Sequence, residues 1–96
     1  MRSITVDING VDYTARIMAH DEDWQAAALR AVQRRYGRSA AVWCWTVDSR
    51  QIDRAGNTVR VGYKGTVVGK ENPRRYGGGH PILAEARLWL PADQEG

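Results

Sequence analysis

The dipeptide Asn9-Gly10 constrains this chain more than any other feature. Both residues accept positive φ, as the two-residue turn joining the strands of a hairpin requires. Before it, Ile4, Val6 and Ile8 alternate with Ser3, Thr5 and Asp7; after it, Val11, Tyr13, Ala15 and Ile17 alternate with Asp12, Thr14 and Arg16. Period-two alternation marks a half-buried strand. A two-residue turn sets Ile8 opposite Val11, Val6 opposite Tyr13 and Ile4 opposite Ala15. Every inward residue then meets another, and a slip of one position would expose the whole set. Residues 4–17 therefore predict a hairpin with one apolar face, and that face needs a cover.

The next segment supplies one. His20-Asp21-Glu22-Asp23 leads into Trp24-Gln25-Ala26-Ala27-Ala28-Leu29-Arg30-Ala31-Val32-Gln33-Arg34-Arg35-Tyr36, rich in good helix formers, and Gly37 offers a left-handed stop. Asp21 is the expected N-cap, and three acids stand by the positive end of the helix dipole. At helical spacing Trp24, Ala28, Leu29, Val32 and Tyr36 form a thin apolar stripe, opposite Asp23, Ala26, Arg30 and Arg34. Its alanines would let the helix lie close on a sheet.

A third strand is expected over residues 41–47, with Ala41, Trp43, Trp45 and Val47 inward. Asp53-Arg54-Ala55-Gly56-Asn57 reads as a three-residue hairpin loop with Gly56 left-handed. The loop implies a fourth strand over Thr58–Val68 and pairs Gln51 with Val59, Val47 with Tyr63, Trp45 with Gly65 and Trp43 with Val67. An indole then covers a strand glycine. The same register sets Arg50 against Arg60, an unfavourable pair of like charges. Residues 69–81, with four glycines and two prolines, predict a mobile loop. Residues 82–90 fit a fifth strand, by the alternation of Ala84, Ala86, Leu88 and Leu90, or a short helix opened by Pro81; the strand is preferred. Residues 91–96 predict a disordered tail. The expected fold is a two-layer α+β sandwich, an antiparallel sheet of four to five strands in β-β-α-β-β-β order with one helix on one face, in a single domain over residues 1–90.

Composition narrows the function classes. The 96 residues suffice for one domain, and 43% apolar with 26% charged residues is an ordinary globular mixture. The single cysteine, Cys44, leaves no internal disulfide or cysteine zinc site, and without an export signal a reducing cytoplasm is expected. The net charge of +3 conceals segregation: residues 1–29 carry a balance of −3 and residues 30–87 one of +8. Twelve of the fourteen basic residues are arginine, suited to forked contacts with carboxylate or phosphate. Focused positive potential favours an acidic or phosphorylated partner. High-GC coding would give the same arginine bias with no function attached.

No catalytic or cofactor motif emerges. Gly65-Thr66-Val67-Val68-Gly69-Lys70 is one residue short of a phosphate-binding loop, has Glu71 where a hydroxyl is needed, and falls within a strand pattern. His20 and His80 have no ligand partner at helical spacing, so no metal is expected. Cys44 could meet an imidazole in space, but between two tryptophans in a strand it reads as a small buried hydrophobe. Trp24, Trp43 and Trp45 read as core packing, whereas Trp89 faces out beside Arg87 if its segment is a strand. Exposed tryptophan with arginine is the chemistry of interface hot spots. Arg34, Arg35 and Arg38 cluster at the helix end, where the dipole also favours them. Lys70, Arg74, Arg75 and Tyr76 share the loop, able to neutralise phosphates and stack on a base.

The hairpin around Asn9-Gly10, the capped helix over residues 21–36 and the strand over 41–47 together resemble small phage-encoded anti-CRISPR inhibitors, several of which look like a sheet with one helix across it. The resemblance implies a non-enzymatic, stoichiometric inhibitor that occludes a bacterial defence protein or ribonucleoprotein in the host cytoplasm. Many such inhibitors are acidic nucleic-acid mimics. This chain is basic, so it would block an acidic protein surface or compete for bound guide RNA or DNA. The expected contacts are Arg34, Arg38, Lys70, Arg74, Arg75, Tyr76 and Trp89, with no cofactor. The rival readings are a sequence-independent nucleic-acid-binding module and an oligomer-forming structural protein.

Overall fold

The computed structural model describes residues 3–21, 23–71 and 80–92. Strands β1 (Ser3–Ile8) and β2 (Val11–Arg16) pair in the register that the turn requires, Ile8 with Val11 and Ile4 with Ala15. Asn9 and Gly10 take φ of 53° and 88°, and the Gly10 N–H donates to Asp7 Oδ1 at 2.8 Å. On the outer face the Thr5 and Thr14 hydroxyls meet at 2.9 Å.

Helix α1 (Trp24–Tyr36) ends at Gly37 as expected, with φ of 94° and its N–H on the Gln33 carbonyl at 2.7 Å. Its N-cap differs. Asp23, not Asp21, accepts the Gln25 N–H at 2.8 Å. Asp21 is engaged elsewhere: it accepts the Met18 N–H at 2.7 Å and takes both arms of the Arg30 guanidinium at 3.0 and 2.7 Å. That clamp holds the Asp21 carboxyl well below its ordinary value, at about 2, chiefly through the Arg30 hydrogen bonds and secondarily the Met18 N–H. The buried stripe is also rotated from the expected one. Ala27, Ala28, Ala31 and Val32 are fully covered while Leu29 is half-buried, because three alanines in a row let the helix approach along its smallest flank.

The remaining strands are β3 (Ala41–Ile52), β4 (Thr58–Val68), the two-residue pair β5 (Lys70–Glu71) and β6 (His80–Pro81), and β7 (Ala84–Pro91). The main sheet has five strands in the order β2-β1-β7-β4-β3, every neighbour antiparallel. The last segment is therefore a strand and not a helix. It sits at the sheet's centre, with Ala84, Ala86, Leu88 and Leu90 buried and Glu85, Arg87 and Trp89 outward. Two expectations of irregular chain need correction. The ends of the 69–81 loop pair, Lys70 with Pro81 and Glu71 with His80, and Pro91 belongs to β7 instead of a tail. The rest of that loop and residues 93–96 lie outside the described residues.

Ile4, Val6, Ile8, Val61, Val67, Leu88 and Leu90 build the core from the sheet side, against the helix alanines and Val32. The helix touches β1 and β2 on one flank and β3 on the other. In a flat sheet β2 and β3 would stand about 19 Å apart, against a helix diameter of about 10–12 Å, so the sheet curls around the helix. β1 joins β7 through two residue pairs only, Asp7 with Arg87 and Ile8 with Ala86.

Strand β3 departs most from the expected pattern. Its register against β4 shifts three times, between Trp43 and Thr46, between Val47 and Ser49, and between Gln51 and Ile52. At the first shift Cys44 takes φ of 58°, so two residues of β3 oppose Gly65 alone. Alternation changes phase there. Val42 and Trp45 pack against the core, while Trp43 turns outward at 64% exposure and Cys44 is exposed. Trp45 and Val42 cover Gly65: a Cβ on that glycine would fall 3.1 Å from the indole and collide with Val42 Cγ1. The shift near the hairpin tip also dissolves the Arg50–Arg60 conflict, setting Arg50 opposite Val61 and Arg60 opposite Gln51.

Candidate interaction face

One face of the sheet carries the helix; the other carries no covering element among the described residues. The strand registers place Trp43, Thr66 and Glu85 in one row across it, Thr46, Lys64, Arg87 and Asp7 in the next, and Ser49, Gly62 and Trp89 in the third. Trp89 leans over Gly62, where a Cβ would lie 3.2 Å from its ring, and remains 40% exposed. The Arg60 guanidinium stands 5.4 Å from the Trp89 ring centroid, a cation–π contact. Trp43 and Trp89 sit two strands apart and four positions along the pleat, roughly 10 Å by 13 Å at ordinary spacings.

Between the indoles lies a charge network. Asp48, in the second bulge of β3, faces Arg87 at 3.4 Å and Lys64 at 3.8 Å, and Arg87 also reaches Glu85 at 3.2 Å. Counting Arg60 and Asp7, three cations stand with three carboxylates, so the face is nearly neutral. These exposed pairs add little stability. They place opposite charges beside one another between the two indoles.

The described ones among the expected contact residues, Arg34, Arg38, Lys70 and Trp89, do not form one site. Trp89 faces out as expected. Arg34 lies on the opposite side of the molecule, donating to the Thr14 carbonyl on β2. Arg38 and Lys70 are exposed and become neighbours where the Ser39 hydroxyl donates to the Lys70 carbonyl at 2.8 Å. Arg74, Arg75 and Tyr76 lie outside the described residues. The sequence reading missed Trp43, Arg60, Lys64 and Asp48. The available signal was apolar residues at both parities, Val42 beside Trp43 and Cys44 beside Trp45, which marks a strand that changes phase.

Among the described residues no three His, Cys, Asp or Glu side chains converge on a metal site, and no helix is long and apolar enough to cross a membrane. His20 is exposed, 3.8 Å from the Asp21 carboxylate. Compared with known protein families, curated proteins and solved structures, the chain matches none.

Proposed function

We propose that this protein is a non-enzymatic binding protein whose helix-free sheet face occludes a protein surface, with Trp43 and Trp89 as its anchors. The observation that carries the reading is the pair of exposed indoles on a charge-balanced, salt-bridged face. Tryptophan and arginine dominate interface hot spots. The charge balance favours a protein partner over a polyphosphate, which needs surplus cations along its track. The partner class to test first is the one the anti-CRISPR resemblance implies, a bacterial defence protein or ribonucleoprotein, met at a protein surface that is itself near neutral and not at the acidic one expected from the net charge. The reducing cytoplasm suits an exposed, unpaired Cys44.

A second reading, sequence-independent binding of single-stranded nucleic acid, draws on the same two indoles as base-stacking platforms. One experiment separates them. The wild-type chain and a Trp43→Ala/Trp89→Ala variant serve as baits in a bacterial lysate, with recovered proteins identified by mass spectrometry and their affinities measured. The expected result is a partner that the double variant binds at least about 100-fold more weakly. Recovery of the same partner by both baits overturns the proposal. So does binding of bare RNA or DNA that falls steeply and linearly with salt on logarithmic axes.

A further inference from the structure

A separate feature lies at the sheet's edge. β3 has a strand neighbour on one side only. Beside its first residues is an apolar groove of about 240 Å³ between strand and helix, lined by Gln25, Ala26, Leu29, Ala41, Val42 and Trp45. The adjoining stretch of β3 is regular, pairing Ala41 with Val68, Val42 with Val67 and Trp43 with Thr66, until the Cys44 bulge ends it. An edge strand presents outward N–H and C=O groups that can pair with another chain, and pockets beside it select alternate side chains of the added strand. The bulge restricts such pairing to a short strand.

Charge identifies the occupant. Arg38 and Lys70 stand exposed at the groove end of β3. A second copy is a poor complement. Its other edge, β2, has the Thr14 and Arg16 carbonyls occupied by Arg34 and Arg30. Antiparallel pairing of the Ala41–Trp43 stretch with the same stretch of another copy, centred on Val42, would bring Arg38 toward Thr46, where no carboxylate meets it. We propose that β3 accepts a short acidic strand of another protein, which seats one apolar side chain in the groove between α1 and β3.

The test titrates the isotope-labelled chain with acetyl-Glu-Val-Thr-Leu-Thr-Val-Glu-amide, a version with lysine at both ends, and one with proline in place of both threonines, followed by NMR. The expected result is saturable shifts of the 41–43 amides and the Leu29 and Val42 methyls by the acidic peptide, at least about tenfold tighter than the lysine peptide, with the proline peptide inert. Ala26→Glu, which fills the groove with an opposing charge, weakens the acidic peptide at least about tenfold while the melting curve is kept. Trp89→Ala, two strands away on β7, leaves it within about twofold, separating this edge from the outer face. The proposal is overturned by an absence of β3 shifts at millimolar peptide, by equal binding of all three peptides, or by indifference to Ala26→Glu. A dimer in sedimentation equilibrium that Ala26→Glu dissolves also overturns it, since the occupant is then a second copy.

Discussion

β2 and β3 both lack a strand neighbour on one side, yet the molecule finishes them differently. On β2 the helix reaches over: Arg34 donates to the Thr14 carbonyl and Arg30 to the Arg16 carbonyl at 2.8 Å, filling acceptors that an intruding strand would use. On β3 the device is geometric, with three register shifts that break the strand into short regular pieces. Arginine capping closes an edge, whereas bulges only shorten it. An edge guarded by bulges retains regular stretches beside them, and on β3 the stretch Ala41–Trp43, ahead of the first bulge, lies beside the groove.

The largest perturbation of this contrast is Gly65→Val. Its side chain would collide with Val42 and Trp45, and overpacking of this kind costs about 1–3 kcal/mol. Chemical denaturation should show that loss, and hydrogen exchange should show protection falling across β3 while β1 and β2 keep theirs. An even loss over all five strands would contradict the separation of the two edges.

Acid should act mainly on the β2 side. The folded-state pKa of Asp21 lies at about 2, below its ordinary 3.8. The stability contributed by the clamp is therefore complete above about pH 4 and lost as pH falls toward about 2. Melting temperatures across that range should fall for the wild type more steeply than for Asp21→Asn, which lacks the ionisation and starts lower at neutral pH.

Arg34→Ala is a milder test, costing about 0.5–1 kcal/mol for a hydrogen bond at an exposed edge. Its clearer effect is on self-association. With the Thr14 carbonyl open, light scattering on heating should rise earlier than in the wild type, and unchanged scattering would remove the capping role. The smallest effect belongs to Cys44→Gly. Glycine takes the φ of 58° without penalty, so the variant should gain about 0.5–1 kcal/mol in denaturant titrations, whereas Cys44→Val should lose stability.

Much of the fold was legible because it is written locally. The Asn9-Gly10 turn, the Gly37 stop, the loop before β4 and the alternation of β7 each rest on neighbours a few residues apart, and all stand as read. What escaped depends on distant residues. Asp21 lost the N-cap to Asp23 because Arg30, two helical turns further on, claims its carboxylate. Trp43 faces solvent because an extra residue at Cys44 lets Val42 and Trp45 close over Gly65, a glycine on another strand. Residues 41–47 are apolar at both parities, which signals a change of phase but does not say where the extra residue sits. The outer face was half legible for the same reason: Trp89 lies on a regular strand and was placed correctly, while Trp43 and Asp48 lie at or beside bulges and were not.

The two-pair ladder between β1 and β7 gives the protein a parting line. The described residues before Gly37 form one ββα unit, and those from Ala41 form a three-stranded meander with its short β5–β6 clasp. Scarcely any backbone bonding stitches them together. What unites the halves is greasy contact between helix and sheet, a force that fades on cooling while strand pairing does not depend on it in the same way. A chain nicked between Arg38 and Ser39 would thus hold together in the warmth and come apart in the cold.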